Sequence, residues 1–253
     1  MVSFINQLLR EMLRPAGLLF LVFLVSCHSD PIPDCFNSTG PEQKITRILP
    51  VHPGTVEIKD NVDVVWHRSD SSYLVLTCGR NLAKKVITDV KDGNLTIGNI
   101  NKCNWVREYN REMKVDLFCR EPKSLYLKGY GEFRCADTLW CNKLAVYHYG
   151  AGSSQLMLRT GQLSIDFNCI GHMTLNGNSQ TASYYTQDVG ILKATGLKVN
   201  TLEIKVEGDN DVWVDAQDSL KGALLTSRTV FYAGKPKLAM EVKNGGKLVP
   251  INP

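Results

Sequence analysis

From Leu125 onward the chain repeats itself, and the period limits what it can fold into. Set out from matching residues, LYLKGYGEFRCAD begins at Leu125, LAVYHYGAGSSQLML at Leu144, LSIDFNCIGHMTLNG at Leu163, ASYYTQDVGILKAT at Ala182 and LEIKVEGDNDVWVD at Leu202, spaced by 19, 19, 19 and 20 residues. Two looser units follow from Gly222 and Ala239. Every unit reads as strand, tight turn, strand. The third residue is apolar (Leu127, Val146, Ile165, Tyr184, Ile204) and the fourth mostly polar (Lys128, Asp166, Lys205, with Tyr147 and Tyr185). After the turn, Phe133, Leu156, Met173, Leu192 and Val212 recur in the same way.

One such unit alone could be a β-hairpin. In a meander or barrel, however, the alternation would invert or the turn chemistry differ from one hairpin to the next. Equivalent columns at a fixed period are what stacked coils produce, because each coil buries its inward residues only on its neighbours. The expected fold is therefore all-β: a parallel β-helix, or single-stranded β-solenoid, of 19 to 20 residues per rung. Strands of successive rungs would lie about 4.8 Å apart. Turn residues such as Gly150, Gly171 and Gly245 are expected to supply the positive φ of a sharp corner.

The N-terminal residues carry a different signal. Arg10 and Arg14 precede an apolar run, Ala16 to Val25, that is too short to span a bilayer and fits the core of a cleaved secretion signal. The run ends in Leu24-Val25-Ser26-Cys27, a lipobox, so residues 1–26 read as a lipoprotein signal peptide and Cys27 as the lipidation site. Two or three acyl chains on Cys27 would hold the protein on a membrane. Residues 27–44, rich in Pro, Ser, Asp and Gly, read as a flexible tether. Residues 45–253 read as the solenoid domain, with N-terminal strands over 45–120 and regular rungs over 121–253. His28 lacks the acidic inner-membrane retention cue, which makes a lipid anchor in the outer membrane the expected location.

A stack of rungs has two open ends that need covers. Thr55–His67, Ser72–Cys78 and Asn94–Ile100 read as strands near the first rung. Between them, Leu82, Val86 and Val90 fall at helical spacing, with Asn81 as N-cap and Gly93 as a stop, which predicts one short capping helix over Gly79–Gly93. At the far end Pro236, Pro250 and Pro253 lack amide donors and would blunt the exposed edge.

The formal charge of +4 falls to about +3 once the signal leaves and comes without basic runs, which argues against nucleic acid as a partner. Seven cysteines remain besides Cys27, an odd number; Cys103 with Cys119, or Cys135 with Cys141, could pair, and the spacings form no zinc pattern. His148 and His172 fall on different edges of their rungs and read as surface or turn residues. Asp166, Asp188, Asp209, Asp211 and Asp215 do not form a column on one face, so the acidic pair that polysaccharide cleavage needs is not expected. No metal site, cofactor or catalytic residue is expected. Tyr126, Tyr130, Tyr147, Tyr149 and Tyr185 lie in adjacent rungs, and Tyr147 and Tyr185 share an outward column. Tyrosines so placed either stabilise the sheet by stacking or offer a flat amphipathic surface to a ligand. Tyr147, Tyr185 and Tyr126 are the candidate ligand surface.

TVEIKDNVDVVWH, YLVLTC followed by KKVITDVKDGNLTIG, MKVDLFCREPKSLYLKGYGEFRC and FYAGKPKLAMEVKNGGKL, in that order, resemble the putative auto-transporter adhesin, head GIN domain family of bacterial envelope proteins, over Ile45 to Pro253. The resemblance implies a right-handed, largely parallel β-helix on a lipoprotein or secreted chain, with no agreed biochemical activity. The combined reading is a lipid-anchored, non-enzymatic binding, adhesion or scaffold module. Its expected partners are the membrane, through the lipid, and a glycan or envelope protein. Two alternatives stand beside it: a polysaccharide-active β-helix lyase or hydrolase, and a homo-oligomer that assembles end to end.

Overall fold

The computed structural model describes residues 38–101 and 113–251. The signal peptide, Cys27, most of the tether, Cys35, Cys103 and Pro253 lie outside the described residues. Residues 39–101 and 113–251 belong to one compact unit.

Leu202–Asp215 shows the architecture directly. Leu202 pairs with Ala182 in the preceding rung and Leu220 in the next, and Val212 pairs with Leu192 and Val230, all in parallel. The stretch is a coil, not a hairpin. The second run of each unit and the first run of the next join into one long strand: β11 (Ser153–Phe167), β12 (His172–Thr186), β13 (Ile191–Val206) and β14 (Val212–Leu224). Before them come β8 (Ser124–Leu127), β9 (Phe133–Cys135) and β10 (Leu139–His148). After them come β15 (Thr229–Ala233), β16 (Lys237–Val242) and β17 (Lys247–Pro250).

Alternation sends every second residue into the dry interior. Leu125, Val146, Ile165, Tyr184 and Ile204 stack as one buried column. Each apolar side chain so buried contributes about 1.5 to 3 kcal/mol. The first interval differs from the sequence expectation. Leu125, not Leu127, pairs with Val146, and Phe133 pairs with Ser154 rather than Leu156. Since Leu139 still pairs with Leu158, the two extra residues of this coil are taken up between Phe133 and Leu139.

A second departure follows from alternation along β10, where His148 lies two residues beyond inward Val146. His148 is not a surface residue but stacks in a buried column between Leu127 and Phe167. Its ring meets Phe167 edge-on at 5.5 Å, and the buried Ser154 hydroxyl lies 3.4 Å from Nδ1. Burial pushes the imidazole pKa down to about 4, against a raising contribution from the Gly152 backbone. His172, by contrast, is exposed.

The corner glycines also act differently from expectation. Gly129, Gly150, Gly152, Gly171 and Gly190 do not adopt positive φ, though Gly245 does. A Cβ on Gly150 would run into the carbonyl oxygen of Gly129, and one on Gly171 into that of Gly152. Corners of successive rungs nest backbone on backbone, and glycine is needed for that close approach.

The N-terminal strands β2 (Thr55–Ile58) and β3 (Asp63–Arg68) are themselves a rung, stacked in parallel on β8 and β9. A further rung beneath, of β6 (Asn94–Asn99) and β7 (Lys114–Cys119), pairs in parallel with β2 and β3. Antiparallel strands then close this end: β5 (Val86–Lys91) on β6, β4 (Tyr73–Gly79) on β7, and β1 (Glu42–Ile48) on β4. β1 takes in the last residues of the stretch read as tether. Arg47 of β1 locks the cover by donating to the carbonyls of Val86 (2.7 Å) and Ala83 (2.8 Å) and to Thr88 Oγ1 (2.7 Å).

No capping helix forms. Only Ala83–Lys85 makes a 3₁₀ turn, and Val86 onward is extended. A spacing of four between Leu82, Val86 and Val90 fits a strand's period of two as well as a helix. β-Branched Val86, Ile87, Thr88 and Val90 favour the strand, and Asp92 and Gly93, at φ 51° and 74°, make a tight hairpin turn to β6. The C-terminal end has no such cover among the described residues. The inward residues Leu238 and Val242 of β16 are 47% and 41% exposed.

Neither cysteine pairing occurs in the described part: Cys119, Cys135 and Cys141 carry free thiols, as do Cys78 and Cys169. Burial pushes Cys135 up to about 12 and Cys119 and Cys141 up to about 11, so these thiols stay protonated at neutral pH.

Two outcomes test this packing. Gly171→Ala is expected to lower the unfolding midpoint clearly, whereas Gly54→Ala, whose Cβ would meet only the Gly93 carbonyl oxygen at an ordinary 4.0 Å, leaves it nearly unchanged in the same thermal scan. For His148 the folded-state pKa lies below the unfolded value near 6.5, so its stabilising contribution is present above about pH 6.5 and lost as pH falls towards 4. The loss is about 3 kcal/mol. Urea unfolding at pH 7.5 and pH 4 should therefore show a smaller acid loss for His148→Leu than for the parent protein.

Candidate functional site

One outward column runs the length of the stack. Glu57, Tyr126, Tyr147, Asp166, Tyr185, Lys205 and Ala223 occupy equivalent positions on successive rungs. The two-residue shift at the first coil is what brings Tyr126 into it. Tyr126 and Tyr147 stack face to face, centroids 4.5 Å apart and 8° from parallel. Lys128 Nζ lies over the Tyr126 ring at 5.4 Å and pairs with Glu57 at 2.8 Å. Lys205 Nζ covers one face of Tyr185 at 5.2 Å. Ring faces thus look along the stack, and ring edges and hydroxyls look outward.

The ladder is interrupted once. Asp166 stands where a third consecutive tyrosine would close the stack between Tyr147 and Tyr185. Above its short side chain is a notch of about 320 Å³ lined by Tyr147, Ser164, Asp166, Ser183, Tyr185 and Lys205. Tyr149 donates its hydroxyl to Asp166 Oδ2 at 2.7 Å, while Oδ1 is buried and has no hydrogen-bond partner. Burial, with the carboxylate alongside, pushes the Tyr149 phenol up, so it remains a donor. The hydrogen bond to Glu207 does the same for Tyr185.

Beside the ladder lies a larger groove, about 990 Å³, which sequence reasoning missed. It exists because the outward column two residues before the tyrosines carries small side chains, Ala145, Ser164 and Ser183, before giving way to Glu203 and Lys221. Trp140 forms its far wall, with the Arg159 guanidinium 5.0 Å from the ring centre. Ser164, Ser183 and Glu203 line both notch and groove, so the two are continuous. The 19-residue recurrence of a small residue at 145, 164 and 183 was the available signal.

The acidic residues are mostly engaged by local partners. Asp209 pairs with exposed Arg228 at 2.6 Å, which holds its carboxyl below the usual range. Asp211 accepts from the Thr229 amide, Asp188 from that of Val189, and Asp215 is buried. His148 and His172 are likewise not brought together, since one is inside and the other outside. Tyr130 sits exposed at a corner, away from the ladder.

A family model described as putative auto-transporter adhesin, head GIN domain matches residues 52–236. The chain belongs to this family. Among solved structures it is similar to a putative adhesin from Bacteroides fragilis NCTC 9343, at 20% identity and TM-score 0.75, covering 83% of this chain and 97% of that one. A putative adhesin from Parabacteroides distasonis ATCC 8503 gives 18% and 0.65, covering 84% and 98%. A putative lipid binding protein from the same strain gives 19% and 0.63, covering 83% and 97%. At these identities the likeness concerns the fold alone. No curated protein matches the chain. Membership of the head GIN domain family is consistent with an envelope protein, and among the described residues no helix is long and apolar enough to cross a membrane.

The stacked tyrosines should be energetically coupled. In a double-mutant cycle, Tyr126→Ala and Tyr147→Ala are expected to show a coupling of about 0.5 to 1.5 kcal/mol in urea unfolding, where Tyr130→Ala with Tyr147→Ala shows none.

Proposed function

We propose that the chain is a lipid-anchored, non-enzymatic binding module of the bacterial outer membrane, a right-handed coil that displays its tyrosine-bearing face to a glycan or protein of the envelope. The observation carrying this reading is the outward column of Tyr126, Tyr147 and Tyr185. Its rings are held by stacking and by cations, Lys128 two residues along the rung from Tyr126 and Lys205 on the rung after Tyr185, and Tyr185 is also tied through its hydroxyl to Glu207. Side chains fixed before a ligand arrives lose little conformational freedom on binding, which favours recognition by such a face. The separate engagement of Asp209, Asp211 and Asp215 supports binding over cleavage. The lipobox at Cys27 and the family's adhesin-like character support the envelope location.

Two measurements test the reading together. The protein should incorporate a clickable palmitate analogue and pellet with outer membranes, while Cys27→Ser shifts it to the soluble fraction without label. Immobilised protein should also capture a component from solubilised envelope without releasing reducing ends from polysaccharides. Failure to capture anything, or polysaccharide cleavage, would reject it.

A further inference from the structure

We infer that the notch and groove together bind a linear, uncharged polysaccharide, with one sugar ring seated between Tyr147 and Tyr185 over the Asp166 carboxylate and adjoining units lying in the groove. This deepens the binding-module reading and rests on it.

The notch has the dimensions of a clamp. Tyr126 occupies one face of Tyr147 and Lys205 one face of Tyr185, so the remaining faces are turned towards the Asp166 rung, where the tilted Tyr149 ring, 6.2 Å from Tyr147, flanks the slot. Two strand spacings put them roughly 9 to 10 Å apart. A flat ring touching both walls would need only about 7 to 8 Å, two contacts of about 3.5 to 4.0 Å. The slot suits a thicker, puckered ring whose C–H faces meet the aromatic walls.

Its floor wants a donor. Asp166 Oδ1 is buried without a hydrogen-bond partner, and Oδ2 already accepts from Tyr149. An unmet buried acceptor is costly, and a rotation of the carboxylate on ligand entry would bring it to a sugar hydroxyl.

The groove continues the same chemistry. Exposed Trp140 and part-exposed Ala145 give apolar surface, and Ser164, Ser183 and Thr181 place hydroxyls along it. A polyol chain alternates C–H and O–H surface in a matching way. From Ala145 to Lys221 the column crosses four rung intervals, about 19 Å, enough for several sugar units in a row.

The groove carries little net charge. Three lysines (Lys123, Lys143, Lys221) face two glutamates (Glu121, Glu203) along the groove. Glu203 pairs with Lys221 at 3.0 Å and Glu121 with Arg68 at 3.0 Å. An acyl chain would bury the hydroxyls and Asp166 unpaired. A quaternary ammonium headgroup would suit the notch but leave the groove unused.

Affinity electrophoresis of the purified full-length protein through gels containing a soluble β-glucan, xylan or galactomannan tests this. At least one neutral polymer should retard the protein, with little change at high salt. Tyr147→Ala and Asp166→Asn should each weaken retention about tenfold, the loss of a stacking contact or of a charge-assisted hydrogen bond. Thr181→Trp, which fills only the groove, should also weaken it, with unfolding midpoints unchanged for Asp166→Asn and Thr181→Trp. Retention by polyuronate alone, flotation with phosphatidylcholine vesicles alone, no retardation in any gel, or parental retention in these two variants overturns the inference. Capture of an envelope component that survives both variants would sink this site while leaving the binding-module reading intact.

Discussion

The structure depends on direct backbone contact between the corners of successive rungs. Carbonyl oxygens of one corner sit where the next corner's Cβ would be, so Gly150, Gly152 and Gly171 hold the rungs at strand spacing and fix their register. Once register is fixed, side chains at equivalent positions meet their counterparts a rung away. The result is a set of ladders: Tyr126 on Tyr147, Thr160 donating to Ser179, Asn168 to Gln187, Asn200 to Gln180. Each arises from local contact between neighbouring rungs, as expected of a quasi-one-dimensional fold.

In such a lattice a binding site is made by leaving something out. A continuous tyrosine column would be a closed stack with its faces buried. Asp166 opens that stack by one rung, exposes two ring faces and leaves a carboxylate oxygen unmet. Small residues at 145, 164 and 183 open the neighbouring column in the same way. The concave surface is thus a deficit of side-chain volume over an unchanged backbone, and it can differ among relatives that share the coil.

The two ends of the stack are not equivalent. At the N-terminal end the chain reverses, and β5, β4 and β1 pair in the antiparallel sense over β6 and β7, with Arg47 fastening them. At the other end the inward positions of β16 remain part-exposed. A parallel rung can be closed by an antiparallel strand because both senses satisfy its backbone hydrogen bonds.

The coil, its period and its inward columns were legible in the sequence because spatial neighbours in a solenoid are also neighbours at one fixed sequence offset. So were Tyr147 and Tyr185 as co-facial residues, and the hairpin at Asp92-Gly93 could have been read from its turn and β-branched flank. Other features required the tertiary structure. Placing β2 and β3 beneath β8 and β9 needs a contact across about seventy residues, for which no repeat exists. The extra residues between Phe133 and Leu139 set Tyr126, rather than Lys128, against Tyr147, a consequence of register that composition does not carry. The notch and groove are the spaces between side chains. Within the regular rungs the repeat shows which residues line up, but only packing in three dimensions decides which of their faces remain uncovered.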